Sequence, residues 1–322
     1  MKELRIASME AGQRLDKYLN KLLPGAGMSF LYKMLRKKNI TLNGKKAEGK
    51  EILSEEDVVK IFFSDETFAA FCENGKGSQK KNAPLKKEPS FFAELDQGIL
   101  YETADLLIVN KPAGVLTQKA DGKDVSVNDW ALARIPDSAG FKPSVLNRLD
   151  RNTSGIVLIS KSIKGAQVVS QALKERTIGK YYRTLVFGSD VPEGIHRGYL
   201  KKNARTNQVK ISATGEGDPI ETGISCIKQG FWKQIPVSYL EIHLITGKSH
   251  QIRAHLASLG HPILGDPKYG SRKVNETLKA ECSVQNQLLH AYRVEAGEAI
   301  LGGFIVEAPI PPSFDRILKK IL

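Results

Sequence analysis

Leu146-Asn-Arg-Leu-Asp150-Arg-Asn-Thr-Ser-Gly155, running directly into Ile156-Val-Leu-Ile159, sets a polar loop against four consecutive apolar residues. Bounded by Gly155 and by Ser160-Lys-Ser162, the apolar run reads as a core strand. The loop holds one carboxylate, Asp150, with Arg148 and Arg151 close by. Thr153, Ser154 and Gly155 are turn chemistry: hydroxyls bond the local backbone, and glycine tolerates positive φ. A carboxylate at the mouth of a core strand, among arginines, can be aimed outward, which suits a nucleophile or a general base. The ordinary alternative is an aspartate closing a turn.

A chain of 322 residues has room for two domains and a real core. Its 41% hydrophobic and 26% charged content is that of a soluble globular protein. No run of apolar residues is long enough for a membrane span, and Met1-Lys-Glu-Leu-Arg5 lacks the apolar core of a signal peptide. Cys72, Cys226 and Cys282 are far apart and form no Cys-x-x-Cys pair, so neither a disulfide framework nor a cysteine zinc site is indicated. A cytoplasmic location is the expectation. The net charge of +13 favours a polyanionic partner, nucleic acid first. The rival, an anionic membrane, would call for a long basic amphipathic helix, which the sequence lacks.

Residues 1 to about 63 read as a small basic module. Leu15, Leu19 and Leu22 fall at helical spacing, and Pro24-Gly25 ends that helix. Ser29 is the expected cap of a second helix, with Leu31, Met34 and Leu35 on one face and Lys33, Arg36, Lys37 and Lys38 crowding the rest. Ile40-Thr-Leu-Asn-Gly44 is a hairpin signal, and Asp57 to Phe63 closes as a strand. Residues 64–97, with the Lys-, Gly- and Pro-rich stretch from Gly75 to Pro89, read as a flexible basic linker, with Asp65 to Cys72 left open between linker and the last edge of the small module.

The larger domain, 98–322, opens with the strand Leu106-Leu-Ile-Val109 and the turn Asn110-Lys-Pro-Ala-Gly114, in which Lys111 is expected to face water. Helices are expected at Val125–Ile135 and Lys164–Arg176, the second broken by Gly179. Lys180 to Gly188 alternates as a strand, where propensity reads Tyr182 as a core aromatic. Residues 192–235 resemble a variable β insertion in which Lys201, Lys202, Arg205 and Lys210 face RNA or solvent. Val237 to Ile245 alternates as a strand, with Tyr239, Glu241 and His243 on one face. Ser249 is the expected cap of a helix with Ile252, Leu256 and Leu259 inward and Arg253 at the edge of the stripe. His250 and His255 lack the His-Glu-x-x-His pattern and read as structural, not metal ligands.

Asn147-Arg-Leu-Asp-Arg-Asn-Thr-Ser-Gly155 resembles the catalytic signature of the RluA family of RNA pseudouridine synthases, usually His-Arg-Leu-Asp-x-x-Thr-Ser-Gly, with Asn147 in place of the histidine. Tyr101-Glu to Gly114, Lys180 to Gly188, Thr246-Gly-Lys-Ser-His-Gln-Ile-Arg-Ala-His255, Gly260 to Gly270, Leu289-His-Ala291 and the closing Ala308-Pro-Ile-Pro-Pro segment are similar to further family motifs, in the family's order. Arg14-Leu-Asp-Lys-Tyr-Leu19, Ser29 to Arg36 and Ile40 to Lys45 resemble an S4 RNA-binding domain.

The resemblance implies an α+β catalytic domain on a mixed, largely antiparallel sheet with peripheral helices, behind a small S4-like α/β domain. It implies isomerisation of uridine to pseudouridine, without cofactor or metal. Asp150 would be the nucleophile or base, Arg253 its partner, and Tyr182 the residue stacking on the base, with a part in removing the C5 proton as its second implied role. Arg148, Arg151, Lys248 and His250 would contact RNA, as would Lys33, Arg36, Lys37 and Lys38. Ribosomal RNA of the 23S type is the first expected substrate, tRNA the second, and a monomer the default state. A non-catalytic RNA-binding or ribosome-assembly protein is the alternative. A glycosidase-like hydrolase fits less well, since one carboxylate stands out where such enzymes use two.

Overall fold

Alternation of apolar residues on consecutive segments decides where each strand of this protein buries its faces. The computed structural model describes residues 1–73, 88–119, 121, 124–138, 140–203 and 208–321. The N-terminal unit comprises β1 (Lys2–Arg5), α1 (Leu15–Leu22), α2 (Met28–Arg36), β2 (Ile40–Leu42), β3 (Lys45–Lys46), β4 (Val58–Ile61) and α3 (Asp65–Glu73). Its strands form an antiparallel sheet in the order β1-β4-β2-β3. Asn43 and Gly44 both take positive φ, 51° and 72°, the backbone a two-residue hairpin needs to match strand twist. Leu15, Leu19, Leu31, Leu35, Ile40 and Val59 fill a core of their own.

The larger unit follows as α4 (Phe91–Gln97), β5 (Ile99–Glu102), β6 (Leu106–Lys111), α5 (Val127–Arg134), β7 (Ser144–Val145), β8 (Ser154–Ser160), α6 (Ile163–Glu175) and β9 (Ile178–Phe187). Then come β10 (Gly194–Asn203), β11 (Gln208–Ser212), β12 (Asp218–Trp232), β13 (Ile235–Leu244), α7 (Gln251–Ser258), α8 (Arg272–Cys282), β14 (Leu289–Ala296), β15 (Phe304–Glu307) and α9 (Pro312–Ile321). Eleven strands make one sheet, in the order β11-β10-β12-β13-β9-β14-β8-β6-β5, with β15 on β14 and β7 on β8. Every pairing is antiparallel except β14 with β8, as expected of a mixed, largely antiparallel sheet.

The strand after the Asp150 loop is buried at every position. Val157 and Ile159 pack on one face with Phe92, Trp130, Leu240 and Leu256. Ile156 and Leu158 pack on the other with Leu106, Val169 and Ala172. A continuous apolar run is what a strand covered on both faces requires.

Several expectations are corrected. Residues 91–97, read as linker, are a helix, and so are residues 65–73, which the sequence leaves open between linker and the edge of the small module. Phe68 and Phe71 of α3 pack on the N-terminal core, and Phe92 and Leu95 of α4 on the larger one. The Lys- and Gly-rich part, 74–87, lies outside the described residues, as does Arg205. The cap of α2 is Gly27, not Ser29, and that of α7 is His250 in the left-handed region (φ 56°), not Ser249. Arg176, also left-handed, ends α6, whereas Gly179 lies inside β9. A Cβ there would meet the Glu295 side chain at 2.8 Å, so Gly179 serves a close cross-strand approach.

The two units touch at Gly140. Its N–H donates to buried Glu10 Oε1 (3.0 Å), and its carbonyl accepts from Gln13 Nε2 (3.2 Å) and Lys21 Nζ (3.0 Å).

Candidate active site

The Asp150 loop is held from several sides. Asn147 accepts from Leu158 N–H (2.8 Å) and donates to Ile156 C=O (3.2 Å), pinning the loop to β8. Both are bonds that a non-titrating amide supplies as well as an imidazole could. Thr117 Oγ1 bonds both the N–H and the C=O of Leu149 (3.1 and 3.0 Å). Thr153 N–H donates to Asp150 C=O (3.0 Å), closing the turn. Gly155 follows at φ 110°, where a Cβ would lie 2.2 Å from Ala291 C=O on the parallel neighbour β14.

Lys111 does not face water. It is fully buried, and Nζ donates to the carbonyls of Pro112 (2.9 Å), Val115 (2.8 Å) and Arg151 (3.1 Å). Three carbonyls match the three N–H bonds of an ammonium and tie the turn after β6 to the residue following Asp150. Burial pulls the Lys111 pKa down to about 7, opposed by the charge of Asp150.

Arg253 comes from α7 and is also buried, rather than at the edge of the apolar stripe. Its Nη1 donates to Asp150 Oδ2 at 2.7 Å. Its Nε and Nη2 grip the fully buried Asp266 at 2.7 and 2.9 Å. Burial opposes the guanidinium charge, but the bonds to Asp266 and then Asp150 outweigh it and raise its pKa. Asp266 is held in turn by the N–H groups of Lys268 (2.8 Å) and Tyr269 (3.1 Å). The fork therefore fixes one oxygen of Asp150. Among the described residues, no hydrogen bond reaches the other, and a quarter of the side chain is open to the cleft (27%).

His250 sits 4.0 Å from Asp150 Oδ2 through Nε2. Tyr269 Oη, which accepts from Val209 N–H (3.1 Å), lies 3.0 Å from His250 Nδ1. Burial lowers the His250 pKa against the pull of Asp150, so the ring is neutral near pH 7. Tyr182, from β9, is a core aromatic and a cleft wall at once. Burial and then the charge of Asp150 push its pKa up, so the phenol keeps its proton.

Asp150, Tyr182, Arg253, Arg148, Arg151, Lys248 and His250 all line one cleft of about 950 Å³. Among the described residues, nine lysines and arginines line it against a single acid, Asp150, which is an electrostatic receptacle for a polyanion. Lys202 lines it too, whereas Lys201 and Lys210 do not. Lys33, Arg36, Lys37 and Lys38 are exposed on and just after α2 and are not among the cleft residues. His255 bonds Thr222 Oγ1 (3.0 Å), and no cluster of potential metal ligands occurs among the described residues. Sequence reading missed the structural parts of the site: Asp266, Tyr269, Thr117 and the buried state of Lys111. Each is defined by a partner distant in the chain. The Gly-Asp-Pro at 265–267 was the only local signal for any of them.

Residues 105–258, which contain Asp150, Tyr182 and Arg253, match the family model described as RNA pseudouridylate synthase. The ribosomal large subunit pseudouridine synthase C of Vibrio cholerae is 30% identical over 97% of this chain and 94% of its own length. That of Pasteurella multocida is 28% identical over 100% and 94%. The ribosomal large subunit pseudouridine synthase D of Nitrosomonas europaea is 27% identical over 99% and 87%. Among solved structures, human RNA Pseudouridylate Synthase Domain Containing 4 shares the fold, with a TM-score of 0.58 at 19% identity over 72% of this chain and 96% of that one. With the fold, the motifs and these relatives in agreement, the chain belongs to the RluA family of RNA pseudouridine synthases.

Proposed function

We propose that this chain isomerises specific uridines of large-subunit ribosomal RNA, with Asp150 as the reacting carboxylate. The observation that carries this reading is the state of Asp150: one oxygen clamped by Arg253 and, among the described residues, the other without a hydrogen bond and no second acid in a cleft of nine cations. In the reaction the C1′–N1 bond breaks, the base turns, a C1′–C5 bond forms, C5 loses its proton and N1 gains one. Asp150 acts on the ribose, as nucleophile at C1′ or as base. Arg253 orients it, and the buried Asp266 holds Arg253 from behind. The Tyr182 ring stacks on the base; its raised pKa argues for a neutral phenol rather than a tyrosinate removing the C5 proton. Extruding the uridine costs a few kcal/mol, which phosphate contacts from Arg148, Arg151 and Lys248 offset.

Residues 1–63 are, in this reading, an S4-like RNA-binding domain preceding a catalytic domain at 98–322. Its free cationic surface is Lys33, Arg36, Lys37 and Lys38. The ribosomal substrate rests on the names of the relatives from Vibrio cholerae and Pasteurella multocida. The test is pseudouridine mapping across all RNA in cells lacking the gene, complemented with wild type or with Asp150→Asn. Ribosomal sites restored by wild type alone are the expected result. Lost marks in tRNA would move the substrate, and no lost mark anywhere would overturn the reading.

A further inference from the structure

A second cavity, of about 690 Å³, borders the same loop two residues past Asp150. Asn152, Ser154 and the turn at 110–113 line one part of it, and residues 283–289 and 309–314 another. Leu289 lines both this cavity and the Asp150 cleft. The chemistry of the two differs sharply. Among the described residues that line this second cavity, the only charged ones are the exposed Glu94 and the buried Lys111, whose Nζ is engaged by three backbone carbonyls. None of those described residues is a free cation that could receive a phosphate or a carboxylate.

Most of the polar lining is carboxamide, with the hydroxyls of Ser154 and Ser283 beside it. Asn110, Asn152 and Asn286 are half-buried, and their side chains make no hydrogen bond to any described residue. Gln287 is 4% exposed; its Nε2 reaches Thr153 Oγ1 at 3.4 Å, and its Oε1 has no partner. That oxygen is sealed from solvent behind the cavity wall, so the free amides open to an occupant are those of the three asparagines. Pro309, Pro311 and Phe314 supply flat apolar walls. Carboxamides, each with a donor and an acceptor, set among flat walls complement an uncharged planar heterocycle with N–H and C=O groups along its edge. The volume lies in the ordinary range for such ligands.

We propose that this cavity is a second nucleobase site, in which the unpaired carboxamides of Asn110, Asn152 and Asn286 donate to and accept from the polar edge of the base. Its occupant is either a base of the RNA whose uridine lies in the Asp150 cleft or a free nucleoside. The first source rests on the proposed reaction; the site itself does not. An occupant would restrain Asn152, and through it the loop that carries Asp150.

The test uses the full chain labelled with ¹⁵N, titrated with uridine, cytidine, adenosine and guanosine, and separately with a large-subunit rRNA transcript. Nucleoside binding is expected to shift the side-chain amide signals of Asn110 and Asn286, and Asn286→Ala to weaken it at least about fivefold, the loss of one or two hydrogen bonds. If RNA is the source, the transcript shifts the same signals, and Asn286→Ala raises KM while leaving kcat unchanged. Shifts with nucleosides alone, and an unmoved KM, would support a free-nucleoside site. Amide shifts in a wild-type protein that turns over no RNA would support the nucleobase site while overturning the proposed reaction. Asn110→Ala, checked for an unchanged unfolding temperature, repeats the reading at a second lining amide. If no titrant moves these signals, or both variants bind as wild type does, the cavity holds only water and the proposal is overturned.

Discussion

Arg253 is the residue on which the site's geometry turns. Its guanidinium offers a planar set of donors, and the structure divides them: two to Asp266 and one to Asp150. A lysine carries the charge but not the fork. The buried pair has an energetic consequence as well. Arg253→Met leaves Asp266, with no exposure, as a buried charge without a counterion. That is expected to cost about 3–5 kcal/mol of stability. Combining Arg253→Met with Asp266→Leu removes both charges and should recover much of this loss. Urea unfolding of the two single variants and the double variant measures the coupling. Additive losses would show that the two side chains are not a coupled pair.

The element that aims the site is β8, together with its parallel neighbour β14. The two approach so closely at Gly155 that no side chain fits, and the backbone there adopts φ 110°. Gly155→Ala is expected to destabilise the protein by about 2–4 kcal/mol, from backbone strain plus overpacking, and to lower activity by moving the loop before it. Gly114, at φ 90° with open space around it, is the control: Gly114→Ala should cost only about 1–2 kcal/mol. Equal unfolding midpoints for the two variants would count against the close-packing account. This strand was legible in sequence because a short apolar run bounded by turn residues has few other fates. The alternation of β13 and the Asn43-Gly44 hairpin were legible for the same local reason. The helices α3 and α4 were not. They are short, and their order comes from Phe68, Phe71, Phe92 and Leu95 docking on cores made elsewhere. The buried state of Lys111 was hidden likewise, since one of its three carbonyl partners belongs to Arg151, forty residues on. Asp150, Tyr182 and Arg253 were recognisable because their motif neighbours are local, whereas Asp266 gains its meaning only when the loop after α7 folds back.

At the scale of the molecule, two units with separate cores meet at Gly140, and the larger one carries a cleft of strong positive charge. Its interior holds neutral imidazoles. Burial pushes His290 down to about 4, and burial with the neighbouring His196 does the same to His255. Between the ordinary histidine value of 6.5 and about 4, the unfolded chain binds protons that the folded chain does not. Stability therefore falls as pH drops through that window and is flat with respect to these groups above it. Urea midpoints measured from pH 7 to pH 4.5 should decline, and His255→Gln should make the decline shallower by about one proton. A variant with the wild-type slope would show that His255 already carries its proton when folded.

The central claim is that Asp150 performs the isomerisation. Moving the glycosidic bond to C5 expels the C5 hydrogen, so a transcript of large-subunit rRNA labelled with tritium at uridine C5 reports each turnover directly. Single-turnover tritium release by excess wild type, Asp150→Asn and Asp150→Glu is the measurement. Wild type should release label in proportion to pseudouridine formed. Asp150→Asn should fall by about 10³-fold or more while binding the transcript as wild type does. Release by Asp150→Asn within about tenfold of wild type, roughly 1.4 kcal/mol in barrier height, would contradict the account and place the chemistry on another residue.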